Sequence, residues 1–135
     1  MKRSPALIKF SREHHAALVL ARRAKKSVPG SDAVVQLMAD FPKRWNDGLA
    51  PHFAEEERAL LPRILAEGGN SLAERLQEDH ARLRKLAARI IAGEAESLTE
   101  FGTLLANHVH FEEHELFPYY ERLVDERQDP DHIRK

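Results

Sequence analysis

There is no cysteine among the 135 residues. That excludes disulfides, thiolate metal sites and thiol nucleophiles. No apolar stretch approaches the roughly 20 residues that a membrane span needs, so no membrane association is expected. The start, MKRSPALIKF, is basic and then only briefly apolar, too short for a secretory leader. A cytoplasmic location is therefore expected. Charge of one sign is also lacking: 21 Lys and Arg face 22 Asp and Glu, a formal net of -1. Such a balance carries no nucleic-acid footprint. Glycine and proline are few, at six and seven, which leaves room for long uninterrupted helices. What is abundant is histidine: eight residues, seven of them inside periodic segments rather than in a run at one end.

A chain of this length forms one domain, and 42% hydrophobic with 32% charged residues is a globular balance. The few breaks divide it into four segments, about 5–27, 31–67, 72–92 and 97–124. VPGSD at 28–32 reads as a turn with Ser31 as N-cap. GGNS at 68–71 reads as a helix stop with Ser71 capping the next helix, and Gly93 closes the third segment before Ser97. All four segments are rich in Ala, Leu, Arg and Glu, which favour helix. Leu7, Phe10, His14, Ala17, Ala21 and Ala24 step by three and four, as do Leu76, His80, Leu83, Ala87 and Ile90. These are inward stripes of a bundle. The second segment, with Pro42, Pro51 and WNDG at 45–48, is predicted to be bent or split. The expectation is an all-α, antiparallel, up-down-up-down four-helix bundle over residues 1–124, with a polar tail at 125–135.

Two segments repeat a pattern. HFAEEERALLP at 52–62 and HVHFEEHELFP at 108–118 each place His, then Glu-Glu four and five residues on, then Pro at ten. Positions i and i+4 share a helix face, so His52 with Glu56, and His108 with Glu112, can grip one ion. His14 and His80 lie on the inward stripes of the other two segments. A lone inward histidine is ordinarily a hydrogen-bonded core residue. Four inward histidines with two inward glutamates are costly in a small core unless they share a partner. The set divides into two groups, His14, His52 and Glu56 against His80, His108 and Glu112. Nitrogen and oxygen donors without sulfur suit iron, manganese or zinc. His15 is the rival to His14, and Glu113 to Glu112. His110 and His114 are expected outside the site, as is His132. Glu57 and Glu113 are candidates to accept histidine N–H groups. Pro62 and Pro118 are expected to bend their helices beyond the site, or to open a shorter terminal helix. Trp45, Phe53, Phe101, Phe111 and Phe117 are expected in the core.

EHHAAL at 13–18, HFAEEERALLP, EDHARL at 78–83 and HVHFEEHELFP together resemble the hemerythrin-like, or HHE cation-binding, family over residues 13–118. The resemblance implies an antiparallel bundle around two iron ions bridged by oxo or hydroxo, held by His14 or His15, His52, Glu56, His80, His108 and Glu112. It implies a small diatomic ligand such as oxygen. Oxygen carriers of this family have a further histidine four residues before the third-helix ligand; here that place is Leu76. The chain is therefore more similar to sensor and regulatory relatives. The expected function is binding or sensing oxygen or a related molecule (redox, nitric oxide), or iron handling. An oxidase or peroxidase is the alternative, as is a structural zinc site in an interaction module. No Glu-x-x-His of the ferritin-like oxidases occurs. No protein partner is indicated.

Overall fold

The computed structural model describes residues 4–128. Among these residues every element is helical. Helix α1 (Pro5–Lys25) opens where Ser4 accepts the Leu7 N–H and Pro5 supplies a preset first position. Arg22, Arg23 and Lys25 complement its C-terminal end. Helix α2 (Asp32–Arg44) begins at the expected cap, with the Ser31 hydroxyl accepting from Val34 N–H. It continues through a π-helical turn, Trp45–Leu49, into α3 (Ala50–Ala66). Helix α4 (Asn70–Ile91) follows, then a 3₁₀ turn at Ala95–Ser97. Helix α5 (Leu98–Phe111) passes through a second π turn, Glu112–Leu116, into α6 (Phe117–Gln128). Four rods result, since α2–α3 and α5–α6 are each continuous. Their short connections make successive rods antiparallel, the expected hemerythrin-like bundle. The part of the expected tail beyond Gln128, and with it His132, lies outside the described residues.

The predicted stripes are the buried ones. Leu7, Phe10, His14, Ala17, Ala21 and Ala24 all face inward, and so do Leu76, His80, Leu83, Ala87 and Ile90. The five aromatic residues expected in the core are buried too. The second segment is not split. The break at WNDG is absorbed by the π turn, and the rod runs on through Pro51 just after it, where the widened turn takes up a residue with no N–H to give. Pro118 likewise sits just after the second π turn, while Pro62 lies within α3.

One capping expectation fails. The cap of α4 is Gly69, not Ser71, which lies inside the helix. A Cβ at Gly69 would stand 2.8 Å from Ile64 Cγ2 and 2.9 Å from the Tyr119 hydroxyl. The close packing of that corner thus fixes the helix start before the serine is reached. Ser97 occupies the cap position of α5, but its hydroxyl makes no capping bond because the residue is already wound into the 3₁₀ turn.

The core is two apolar clusters. One gathers Leu20, Phe41, Trp45, Phe53, Leu86 and Phe101 among others. The other gathers Leu7, Phe10, Leu60, Ile64, Leu76, Phe117 and neighbours. On each rod the boundary between them falls at the same place: between Phe10 and Ala17, between Phe53 and Leu60, between Leu76 and Leu83, and between Val109 and Phe111 or Leu116. A polar layer sits at that boundary. Among the described residues, no helix is long and apolar enough to cross a membrane.

Candidate metal centre

His14, His52, Glu56, His80, His108 and Glu112 form the polar layer, each at most 4% exposed. The i,i+4 pairs close as their spacing predicts. His52 Nε2 lies 3.2 Å from Glu56 Oε2, and His108 Nε2 lies 3.4 Å from Glu112 Oε2. The other oxygen of each carboxylate reaches across the bundle. Glu56 Oε1 is 3.2 Å from His80 Nε2, and Glu112 Oε1 is 2.8 Å from His14 Nε2. Each glutamate therefore offers one oxygen to each side.

Two four-residue groups have ligand atoms within 4.8 Å of one another: His14, His52, Glu56 and Glu112, and Glu56, His80, His108 and Glu112. The sequence grouped three with three. The structure brings both carboxylates into both groups, because each carboxylate lies between histidines of two rods and turns one oxygen toward each.

The outward nitrogens explain the orientation. His14 Nδ1 contacts Glu113 at 2.6 Å, His52 Nδ1 contacts Glu13 at 2.8 Å, His80 Nδ1 contacts Glu57 at 2.7 Å, and His108 Nδ1 contacts Asp79 at 2.8 Å. Carboxylates accept, so each Nδ1–H donates. The four bonds run in a closed cycle, each rod supplying a carboxylate to the histidine of the next. This fixes the tautomer that turns every Nε2 lone pair inward. Rings hold the planes: Phe53 stacks on His80 at 4.1 Å, Phe117 stacks on His14 at 5.4 Å, and Phe10 meets His52 edge-on.

Lone pairs on nitrogen thus face carboxylate oxygens in a dry interior. Both Glu56 oxygens, Glu112 Oε2, His80 Nε2 and His108 Nε2 have no hydrogen-bond partner among the described residues. Five orphaned buried atoms converging on one place would be expensive. A cation between them satisfies all five. The residues therefore fit a pair of metal ions held by imidazole and carboxylate, a donor set suited to iron, manganese or zinc.

Protons are the only other cations available to such a cluster, and they distribute unevenly. Burial, then the Glu112 charge, pushes Glu56 well above the usual carboxylate range. Burial acts to raise Glu112 also, but the approach of a protonated Glu56 carboxyl and the His108 charge outweigh it and hold Glu112 well below. Burial and the His108 charge bring His80 down to about 4. Burial acts to lower His108, yet Glu112 and Asp79 overcome it and raise it to about 9. His52 is lowered by burial. Metal binding must displace the protons this arrangement retains.

Of the sequence-level rivals, His15 is exposed, and Glu113 is turned outward onto His14 Nδ1 and the Ser11 hydroxyl. Glu57 takes the histidine-orienting place expected of it. His110 and His114 are exposed, their rings in contact with each other. Sequence reasoning missed the roles of Glu13 and Asp79. The signal was present in the dipeptides Glu13-His14 and Asp79-His80, but each acid serves the histidine of the next rod, not its neighbour.

The hemerythrin HHE cation-binding domain matches residues 7–120. Comparison with curated proteins and with solved structures finds no match. The match covers most of the chain and spans all six residues of the polar layer, so the chain belongs to the hemerythrin HHE cation-binding domain family.

Proposed function

We propose that this protein holds two iron ions through His14, His52, Glu56, His80, His108 and Glu112, and that it binds or senses oxygen or a related small molecule such as nitric oxide. The observation that carries the reading is the convergence of inward Nε2 lone pairs and shared carboxylate oxygens, five of those atoms lacking any other partner. When bound, an iron pair supplies open coordination positions and exchangeable electrons. The chain does the rest. The cycle of outer carboxylates holds the imidazoles aimed. The two apolar clusters close the layer from both ends and exclude water. The walls next to the site are Phe10, Phe53 and Phe117, which favours a small apolar ligand over a polar substrate.

Leu76, at the place of the carriers' additional histidine, is fully buried in an apolar cluster. That favours sensing or iron handling over oxygen transport. The test is the absorption spectrum of the iron-loaded protein with oxygen, peroxide and nitric oxide. New bands with at least one of them are expected; an unchanged spectrum with all three defeats the reading. Turnover of peroxide with an electron donor, abolished in His108→Ala, would move it to the oxidase alternative.

A further inference from the structure

The cycle of outer carboxylates is incomplete at one position. Glu57 is gripped from outside by both guanidinium nitrogens of Arg84, at 2.8 and 3.1 Å. Asp79 accepts from Arg75 at 3.1 Å, and Glu113 from the Ser11 hydroxyl at 2.8 Å. Among the described residues Glu13 has no such second donor: its hydrogen bond is to His52 alone. Lys9, one turn earlier, is held by Glu55. Glu13 is also the most open of the four, with its side chain 40% exposed against 11% for Asp79, 26% for Glu113 and 28% for Glu57.

Glu13 faces a groove. The space between α1 and the α2–α3 rod amounts to about 560 Å³, and His52 forms part of its wall. That is within the size range of small-molecule sites. The floor is apolar, with Ala16, Ala17, Leu20 and Leu49. The lining carries four carboxylates, Glu13, Asp40, Asp47 and Glu55, and two cations, Lys43 and Arg44. Asp40 is engaged by Arg23 at 3.4 Å and Glu55 by Lys9. Lys43 is engaged by Asp47 at 3.4 Å, which leaves Glu13 as the lining carboxylate without a cation on it among the described residues. The π turn at Trp45–Leu49 builds the open end, contributing Asp47, Gly48 and Leu49.

We propose that this groove is a binding site for a small organic cation, a guanidinium or ammonium on a short apolar chain, whose head donates to Glu13 as Arg84 and Arg75 do to its counterparts. The chain lies along Ala17, Leu20 and Leu49. Occupancy completes the fourth outer pair and steadies Glu13, and through it the His52 ring. Binding in the groove does not depend on the identity of the metal; its influence on the centre rests on the di-iron reading.

Butylguanidinium is the probe, with butanol as the neutral probe of the same chain length. Isothermal titration is run on the iron-loaded protein and again after chelation. The expected result is a Kd tighter than about 1 mM for butylguanidinium in both forms, with butanol much weaker. Glu13→Gln keeps an oxygen for His52 but loses the charge, and should weaken binding about tenfold or more. In Ala16→Arg a tethered guanidinium three residues from Glu13 on the same face takes the place of the probe. It should abolish binding while metal content stays at the wild-type level. Equal affinity for butylguanidinium and butanol, or wild-type affinity in either variant, overturns the proposal. Loss of the iron reading leaves the titration of the chelated protein untouched, so the two failures are distinguishable.

Discussion

Glu56 and Glu112 each give one oxygen to either side of the centre, so removing one differs in kind from removing a histidine. Glu56→Ala is expected to abolish binding of both ions. His80→Ala is expected to cost only the ion nearest it, sparing the group of His14 and His52. Metal content of the purified variants checks this, and equal loss in both would contradict the shared-carboxylate geometry. Outer carboxylates act on affinity rather than stoichiometry. Asp79→Ala should weaken metal binding about 10- to 100-fold by releasing the His108 ring, measurable by competition with a chelator. At this scale much of the centre was readable. A 3.6 period places His14 and His80 on buried stripes, and an i,i+4 pair sets each remaining histidine against its glutamate. The identity of the outer partners was less so. Glu57 and Glu113 follow the glutamates of the polar layer and invite the role, but Glu13 and Asp79 serve histidines 39 and 29 residues away, a pairing set by which rods lie side by side.

Among the elements, α1 and α5 lie closest together at Gly102. A Cβ there would come within 2.5 Å of Ala21 O and Lys25 N, both backbone atoms that cannot turn aside. Gly102→Ala is expected to force the two helices apart and destabilise the fold by about 1–3 kcal/mol. Gly48 provides the contrast. A Cβ there meets nothing within 4 Å, and alanine is the better helix former by roughly 1 kcal/mol. Gly48→Ala should leave the melting temperature unchanged or raise it. Urea melts of the two variants check both directions. The π turns explain what the sequence only hinted at. Phe41, Trp45, Leu49 and Phe53 are all buried and recur every four residues. In a regular helix such a row drifts by about 40° per step. The wider turn at Trp45–Leu49 takes up the drift and keeps both α2 and α3 facing the core. WNDG read as a break because an Asn-Asp-Gly run ordinarily ends a helix; burial of Trp45 and Leu49 on either side carries the chain through instead.

The whole molecule couples its stability to protons through the same layer. His80, at about 4 in the folded state, is below the ordinary histidine value of about 6.5. The unfolded chain binds more protons between these values, so the contribution of His80 is lost as pH falls through that window. His52 acts in the same sense, and Glu56, raised by burial, opposes them. His108, at about 9, is shifted the other way. Its contribution is full below about 6.5 and is lost as pH rises to about 9, a change on the order of 3 kcal/mol. The metal-free protein should therefore be most stable near pH 6.5 and melt progressively earlier toward pH 9. With metal bound, His108 holds an ion instead of a proton, and the alkaline loss should vanish. Thermal melts across pH 5–9, with and without chelator, read both curves; parallel curves would contradict the assignment. The gross architecture needed little beyond the sequence, since four periodic segments with short connections leave one antiparallel arrangement of neighbours. The groove beside Glu13 was invisible there, because it depends on where the second donor to each outer carboxylate comes from.

The central claim is that six buried residues hold two ions between four rods. Elemental analysis of the purified protein, with the absorption spectrum of the aerobic sample, tests it most directly. The account predicts about two irons per chain and near-ultraviolet bands of a bridged pair. A single zinc, or no metal after reconstitution with ferrous iron, would contradict it and leave five buried polar atoms without a partner to explain them.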